Sequence, residues 1–413
     1  MPPAPALPEL ARVFGRIGIL SFGGPAAQIA LMHRELVETR DWLDEDRFLR
    51  ALSFCMMLPG PEAMQLATYA GWRLRGVPGG LIAGGLFLLP GALVIAALAA
   101  LYIRFGAQDW AQALFLGIKA TVLVVVLNAL VTLSRRTLTR RSAWVLAAGA
   151  FLGIFSLGLP FPLIVGCAAL WGYLTSTEAK APPPARVPLS NTLRTVAVWG
   201  AVWLAPLALL WATGARFLTE IALFFSQLAV VTFGGAYAVL AYMTQTIVTE
   251  YGWLSTAQMI DALGLAETTP GPLILVTEFA GILAGHGAGG PGMAVAAGLV
   301  TLWMTFAPCF LWIFAGAPYI EWLAALPRLS GALKAITAAV VGVILSLSVW
   351  FALHVLFGRI VATALGPLPV WHSLNPTALA LTALAAVLLL PARLPLPAVL
   401  GAMALAGLAP ALI

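Results

Sequence analysis

The chain has 413 residues, of which 61% are hydrophobic and 9% charged, with a formal net charge of +6. A soluble domain carries roughly 25% charged residues, so a soluble globular protein is excluded and a polytopic membrane protein is indicated. The basic excess does not indicate a nucleic-acid partner, because the arginines lie in short stretches between apolar runs, where the positive-inside rule places them.

Residues 1–8 are Pro-rich and lead into Glu9, Arg12 and Arg16, not into the basic region and short apolar core of a signal peptide, so no cleaved leader is expected. Two interrupted segments come first. Residues 9–33 are broken at Ser21-Phe22-Gly23-Gly24-Pro25, and residues 48–74 at Pro59-Gly60-Pro61. Spans near 77–103, 110–133, 143–158 and 160–175 follow. Runs such as 77–103, 110–133, 294–314 and 332–357 are long enough to cross about 30 Å of hydrocarbon as helices, so the fold class is all-α. A polar stretch at 175–191 containing Pro182-Pro183-Pro184 reads as a linker, and a further span near 193–213 follows it. Interrupted segments then return at about 217–248 and 257–284, with spans near 293–315, 331–357, 374–391 and 396–412. The expected division is 1–176 for a first repeat, 177–213 for linker and extra helix, and 214–413 for a second repeat.

The duplication is explicit. Ser21-Phe22-Gly23-Gly24, Trp42-Leu43 and Pro59-Gly60-Pro61 recur 211 residues later as Thr232-Phe233-Gly234-Gly235, Trp253-Leu254 and Pro270-Gly271-Pro272. Gly117-Ile118-Lys119-Ala120 returns as Ala332-Leu333-Lys334-Ala335 at an offset of 215. An odd number of spans separates the copies, so inverted topology is expected. The arginines agree independently. The first connector carries Arg34, Arg40, Arg47 and Arg50, whereas the equivalent 244–261 has no Lys or Arg and two acids, Glu250 and Asp261. Homologous loops of opposite charge habit belong on opposite membrane faces. About 13 membrane segments result, four of them interrupted.

The breaks carry the chemistry. Each frees backbone N–H and C=O groups that cost several kcal/mol if left unpaired in hydrocarbon, so breaks survive where protein, water or substrate covers them. A half-helix starting at Pro25 or Pro61 presents its first N–H groups, with roughly half a positive charge, to the gap, which favours an anion. Kinks or close packing explain a single Gly-Gly or Pro-Gly-Pro equally well, but they explain two different duplicated breaks less well. The candidate binding residues are therefore Ser21, Phe22, Gly23, Gly24, Pro25, Gln28, Pro59, Gly60, Pro61, Gln65, Thr232, Gly234, Gly235, Thr269, Pro270, Gly271 and Pro272, with Thr68 and Thr268 as further neutral hydrogen-bonding groups.

Lys119 lies about ten residues into an apolar span and could counter a bound dianion, as could Arg16 or Lys334; snorkelling or pairing with an acid is the competing reading. Glu62, Glu267 and Glu278 are the coupling candidates, with a helix-dipole role as the alternative for Glu62. Trp42 and Trp253 suit interfacial anchoring. Cys55, Cys167 and Cys309 lack CxxC spacing or a His partner and read as buried thiols, while His33, His286, His354 and His372 have no ligand-like spacing. No metal, cofactor or nucleotide site is therefore expected, and an embedded enzyme has no legible catalytic set.

Phe14-Gly15 with Ser21-Phe22-Gly23-Gly24-Pro25, Asp41-Trp42-Leu43, and Leu58-Pro59-Gly60-Pro61-Glu62-Ala63-Met64-Gln65-Leu66-Ala67 leading to Gly71-Trp72 resemble the first half of the chromate ion transporter family. Thr232-Phe233-Gly234-Gly235-Ala236-Tyr237, Trp253-Leu254 and Thr269-Pro270-Gly271-Pro272 are similar to that family's C-terminal domain. The resemblance implies a long-chain, two-domain transporter of the bacterial inner membrane that exports chromate, confers chromate resistance and draws on the proton motive force. Its partners would be chromate, protons and the lipid bilayer, and a homodimer is compatible with it. Sulfate, of the same charge and shape, is the alternative substrate, in uptake or exchange. The second copy has Ala236 and Leu273 where the first has Pro25 and Glu62, so unequal contributions from the halves are expected.

Overall fold

A computed structural model describes residues 5–176, 188–233, 235–324, 326–363 and 366–409. Gly234, Pro182, Pro183 and Pro184 lie outside the described residues. In chain order the helices are α1 (Leu7–Leu20), α2 (Gly24–His33), α3 (Glu45–Cys55), α4 (Glu62–Phe105), α5 (Asp109–Thr137), α6 (Arg141–Phe155), α7 (Phe161–Thr175), α8 (Leu189–Ala212), α9 (Arg216–Val231), α10 (Ala236–Gln245), α11 (Thr256–Ala266), α12 (Val276–Gly316), α13 (Ile320–Ala324), α14 (Pro327–Leu356), α15 (Pro376–Leu389) and α16 (Leu396–Leu408). Short π-helical turns, Arg34–Glu38 and Thr246–Glu250, extend α2 and α10. One feature departs from an all-helical chain, an antiparallel pair of β1 (Ile360–Thr363) and β2 (Gly366–Pro369) with Ile360 opposite Pro369. Two prolines in four residues deny β2 the N–H groups a helix needs.

The duplication is visible in local structure as well as in sequence. α11 begins and ends 211 residues after α3, and the 3-10 turn Leu273–Leu275 with α12 covers the positions 211 residues after α4. The Trp42 N–H donates to the Leu36 carbonyl at 2.8 Å, and the Trp253 N–H to the equivalent Ile247 carbonyl at 3.0 Å. Capping differs between the copies. Asp44 accepts from the Arg47 N–H at the start of α3, whereas Ser255 and Gln258 form a reciprocal capping box at the start of α11.

The chain forms two compact units, and each draws on both repeats. Unit one is built from Met1–Ala99, Thr177–Ala236 and Thr269–Ser330, and unit two from Ala100–Ser176, Tyr237–Thr268 and Gly331–Ile413.

In unit one, α12 packs against α8 and α9. α4 has 44 residues, which at 1.5 Å per residue is roughly twice the hydrocarbon thickness. It resolves the mismatch by doubling back at Arg75 and Gly76, where φ reaches 62° at the glycine. The arms meet backbone to backbone, since a Cβ on Gly71 would lie 2.2 Å from the Gly79 carbonyl oxygen. α12 reverses in the same way at Gly289 and Gly290, ahead of Pro291.

In unit two, α5 packs against α15, α16 and α11. Ala120, Val124, Leu381, Ala385, Val399 and Met403 make a core with no polar atoms in their side chains, and small residues let the backbones approach as membrane helices require.

Five stretches are long and apolar enough to cross a membrane, namely Glu62–Phe105, Asp109–Thr137, Leu189–Ala212, Leu273–Tyr319 and Pro327–Leu356; four shorter apolar helices, α6, α7, α15 and α16, accompany them. α8 has no buried residue although it is apolar from Val196 onward, the pattern of a helix that faces lipid. Cys55 and Cys309 are buried, whereas Cys167 is exposed, contrary to the expectation of three buried thiols.

Candidate functional site

All four breaks belong to unit one. At the first, α1 ends at Leu20, the Ser21 hydroxyl donates to the Ile17 carbonyl at 2.6 Å, and the Phe22 N–H donates to the Leu20 carbonyl at 2.9 Å. Gly23 and Gly24 then take φ of 88° and 79°, with Gly24 the first residue of α2 and Pro25 the second. Two successive left-handed residues suit glycine alone, because an L side chain there costs about 1–2 kcal/mol each. The third break repeats this arrangement, with the Thr232 hydroxyl donating to the Leu228 carbonyl, the Phe233 N–H to the Val231 carbonyl and Gly235 at φ 100°.

The Pro-Gly-Pro breaks answer them across the repeats. The Gly271 N–H donates to the Ser21 carbonyl at 2.8 Å, and the Gly60 N–H donates to the Thr232 carbonyl at 2.9 Å. Donor and acceptor in the second bond are the 211-residue counterparts of those in the first, so one bond is made twice with the repeats exchanging roles. Each Gly-Gly break is thereby joined to the Pro-Gly-Pro break of the other repeat. Pro59, Gly60, Pro270, Gly271 and Pro272 are buried, with Pro61 half-buried. The N–H groups of Gly60 and Gly271 are committed to protein carbonyls. Those of the first turn of α2, which no side chain caps, open on the break.

Two glutamines of the first repeat bond to the breaks. Gln28, 1% exposed, donates its amide N–H to the Gly271 carbonyl at 2.6 Å and to the Ser21 carbonyl at 3.3 Å. Gln65, fully buried, donates to the Pro59 carbonyl at 2.7 Å. Both Oε1 atoms are buried without a protein partner, and a buried unsatisfied acceptor needs an explanation such as a ligand or water. The positions 211 residues later are Val239 and Val276, so the second repeat lacks these bonds.

The other candidates divide by unit. In unit one, Thr68 donates internally to the Met64 carbonyl, and Thr269 is buried. Glu278 is 4% exposed with Oε2 lacking a partner, Glu62 opens α4 half-buried, and Arg16 is exposed on α1. In unit two, the Thr268 hydroxyl donates to the Leu265 carbonyl, Glu267 accepts from the Tyr237 hydroxyl at 2.9 Å, Lys334 is exposed, and Lys119 lies 2.7 Å from Oδ1 of Asp261. Among the described residues no group of His, Cys, Asp and Glu is arranged to hold a metal ion.

The chromate transporter family matches residues 8–173 and, a second time, residues 219–408. This chain belongs to that family. It is similar to the probable chromate transport protein of Synechococcus elongatus, 32% identical over 351 residues, which cover 83% of this chain and 84% of the relative. It is also similar to the chromate transport proteins of Cupriavidus metallidurans, 30% identical over 351 residues with 83% and 82% covered, and of Pseudomonas aeruginosa, 32% identical over 355 residues with 83% and 80% covered. No solved structure matches the chain. As a chromate transporter family member with several apolar helices, it is a multi-pass protein of the bacterial inner membrane and a transport protein, not an enzyme.

Three polar residues of this family member were not legible as functional candidates. Asp261 closes the arginine-free connector and reads as a loop acid, yet it sits in α11 and is 1% exposed. The signal lay in its neighbours, since Met259, Ile260, Ala262 and Leu263 are apolar and a lone acid among them needs a partner. Tyr102 and Tyr237 carry no such signal, because aromatic residues are common in membrane helices.

Proposed function

We propose that this protein is a secondary transporter that carries chromate out of the cytoplasm, drawing on the proton motive force. The oxyanion binds at the helix breaks between two repeats of inverted topology, in a chain of about thirteen membrane segments. One observation carries this reading: the bonds joining Ser21 to Gly271 and Thr232 to Gly60 tie the four breaks into two matched pairs, both within unit one. A broken helix whose N-terminus carries uncapped N–H groups, as α2 does, suits an anion through the helix dipole. The similarity to chromate transport proteins names chromate as that anion. The functional plan proposed for the chain is 1–176, 177–213 and 214–413, with Glu62, Glu267 and Glu278 as carboxylates for proton coupling.

The test is chromate accumulation in everted membrane vesicles, with the gradient imposed and then collapsed. Accumulation against a gradient distinguishes a transporter from a channel, and added sulfate measures selectivity in the same assay. Gly60→Leu and Pro61→Leu are expected to abolish accumulation. Unchanged accumulation in both variants removes the breaks as the site.

A further inference from the structure

Unit two contains a buried charge cluster whose acid the reading of the breaks leaves unassigned. Lys119 on α5 lies with Nζ 2.7 Å from Oδ1 of Asp261 on α11, and the Tyr102 hydroxyl, near the end of α4, donates to Oδ2 at 2.7 Å. The Asp261 side chain is fully buried and that of Lys119 is 15% exposed. Asp261 is the one ionisable residue of α11, and Lys119 stands alone between Asp109 and Arg135 on α5. Among the described residues, Lys119 from α5 and Tyr102 from α4 are the titratable groups within 2.7 Å of the carboxylate.

Stability does not account for this pair. Two charges taken out of water recover little more than their desolvation cost, and a buried ion pair is often replaceable by apolar residues without loss of stability. Inside a membrane, such a pair marks a pathway for ions or protons.

We propose that Asp261 is a proton-carrying group of this transporter beside Glu62, Glu267 and Glu278, that Lys119 is its counter-charge, and that Tyr102 is a positioning residue for the carboxyl. A proton arriving at Oδ1 of Asp261 turns the carboxylate into a carboxylic acid and dissolves the ion pair. Tyr102 goes on donating to Oδ2, so the carboxyl stays oriented. The cluster passes from net zero to one positive charge, which an oxyanion offsets. Loss of the proton restores the pair and releases the anion. Proton and anion therefore raise each other's affinity by the same factor. Carried together, a dianion and one proton move a net negative charge outward, so the electrical part of the proton motive force drives the step and its pH part opposes it. This inference rests on the reading of the protein as an oxyanion transporter.

The full-length protein, reconstituted in vesicles, is assayed for chromate affinity across pH as wild type, Asp261→Asn, Lys119→Met, Tyr102→Phe and the Lys119→Met/Asp261→Asn double variant. In the wild type, affinity strengthens by up to about tenfold per unit of acidification beyond the anion's own titration, the limit for one linked proton. Asp261→Asn, which imitates the protonated state, still binds chromate but loses that extra slope, and comparing the two proteins cancels the titration of chromate itself. Lys119→Met does not bind. Tyr102→Phe keeps the slope but shifts it along the pH axis. The double variant reaches wild-type abundance and does not transport, whereas a merely structural pair would regain transport once both charges are gone. A wild-type slope in Asp261→Asn, or transport above about half the wild-type rate in the double variant, overturns the proposal. If Asp261→Asn does not reach the membrane, the double variant decides, since it leaves no charge unpaired. A wild type that carries no oxyanion overturns the transporter reading itself, which is a different result from chromate transport with an unaltered slope in Asp261→Asn.

Discussion

Gly60→Ala separates the geometry of a break from its hydrogen bond, because alanine keeps the N–H that reaches the Thr232 carbonyl. Gly60 has φ 120°, and a Cβ there would lie 2.7 Å from Gln65 Nε2 and 2.9 Å from Cys309 Sγ. An L residue in that backbone region costs about 1–3 kcal/mol. The contacts add to this, because Gln65 can retreat only by giving up its 2.7 Å bond to the Pro59 carbonyl, worth about 1 kcal/mol. Displacing Cys309 in a packed site adds about 1 kcal/mol more, so the total is roughly 3–5 kcal/mol. Two other glycines calibrate it. Gly24 has φ 79° but open space around its Cβ position, so Gly24→Ala carries backbone strain alone, about 1–2 kcal/mol. Gly149, exposed within α6 with nothing near its Cβ position, gains stability from alanine, up to about 1 kcal/mol. Thermal denaturation of the purified protein in detergent should rank Gly149→Ala above wild type, then Gly24→Ala, then Gly60→Ala. Gly60→Ala melting with the wild type would refute the steric reasoning, whatever its transport.

Gln28→Leu removes donors from two buried carbonyls and Gln65→Leu from one, so Gln28→Leu should be the more destabilising by about 1 kcal/mol in the same melt. Tyr237→Phe deletes the hydroxyl that donates to Glu267; chromate accumulation should fall at least severalfold at unchanged protein level, and an unaltered rate would remove Glu267 from the coupling candidates. Ser255→Ala abolishes the capping box of α11 and should destabilise that helix by about 1 kcal/mol, read as faster amide exchange in its first turn, with α3 unaffected.

How far the sequence carried depends on which atoms do the work. Gly and Pro punctuate a helix through their own backbone limits, so all four breaks, and the starts of the long spans after Gly76 and Gly290, could be read residue by residue. The joining of Ser21 to Gly271 and of Thr232 to Gly60 could not, because it is made by main-chain atoms that every residue possesses, about 170 to 250 positions apart. Gln28 and Gln65 were recognised as hydrogen-bonding groups, but which end of each amide would be occupied depends on carbonyls elsewhere in the fold. Lys119 was conspicuous because lysine is rare in an apolar run. Its partner Asp261 was not, since it stood at the margin of a polar connector and a loop acid has no need of a counter-charge. The compact units were hidden for a related reason. Each takes segments from both repeats, and contiguity in sequence suggests the opposite grouping.

The exchanged bond has a consequence for inheritance. A chain with only the first copy would hold a Ser21 carbonyl and a Gly60 N–H with nothing to meet them, so one copy is not a working part with the other as its spare. A change in the backbone of either copy is felt at once in the other, and selection on the two cannot be independent. Side chains beside the bonds escape that constraint, which is consistent with Val239 and Val276 standing where the first copy has Gln28 and Gln65. The copies are locked through the atoms that mutation cannot change and free to diverge in the atoms it can.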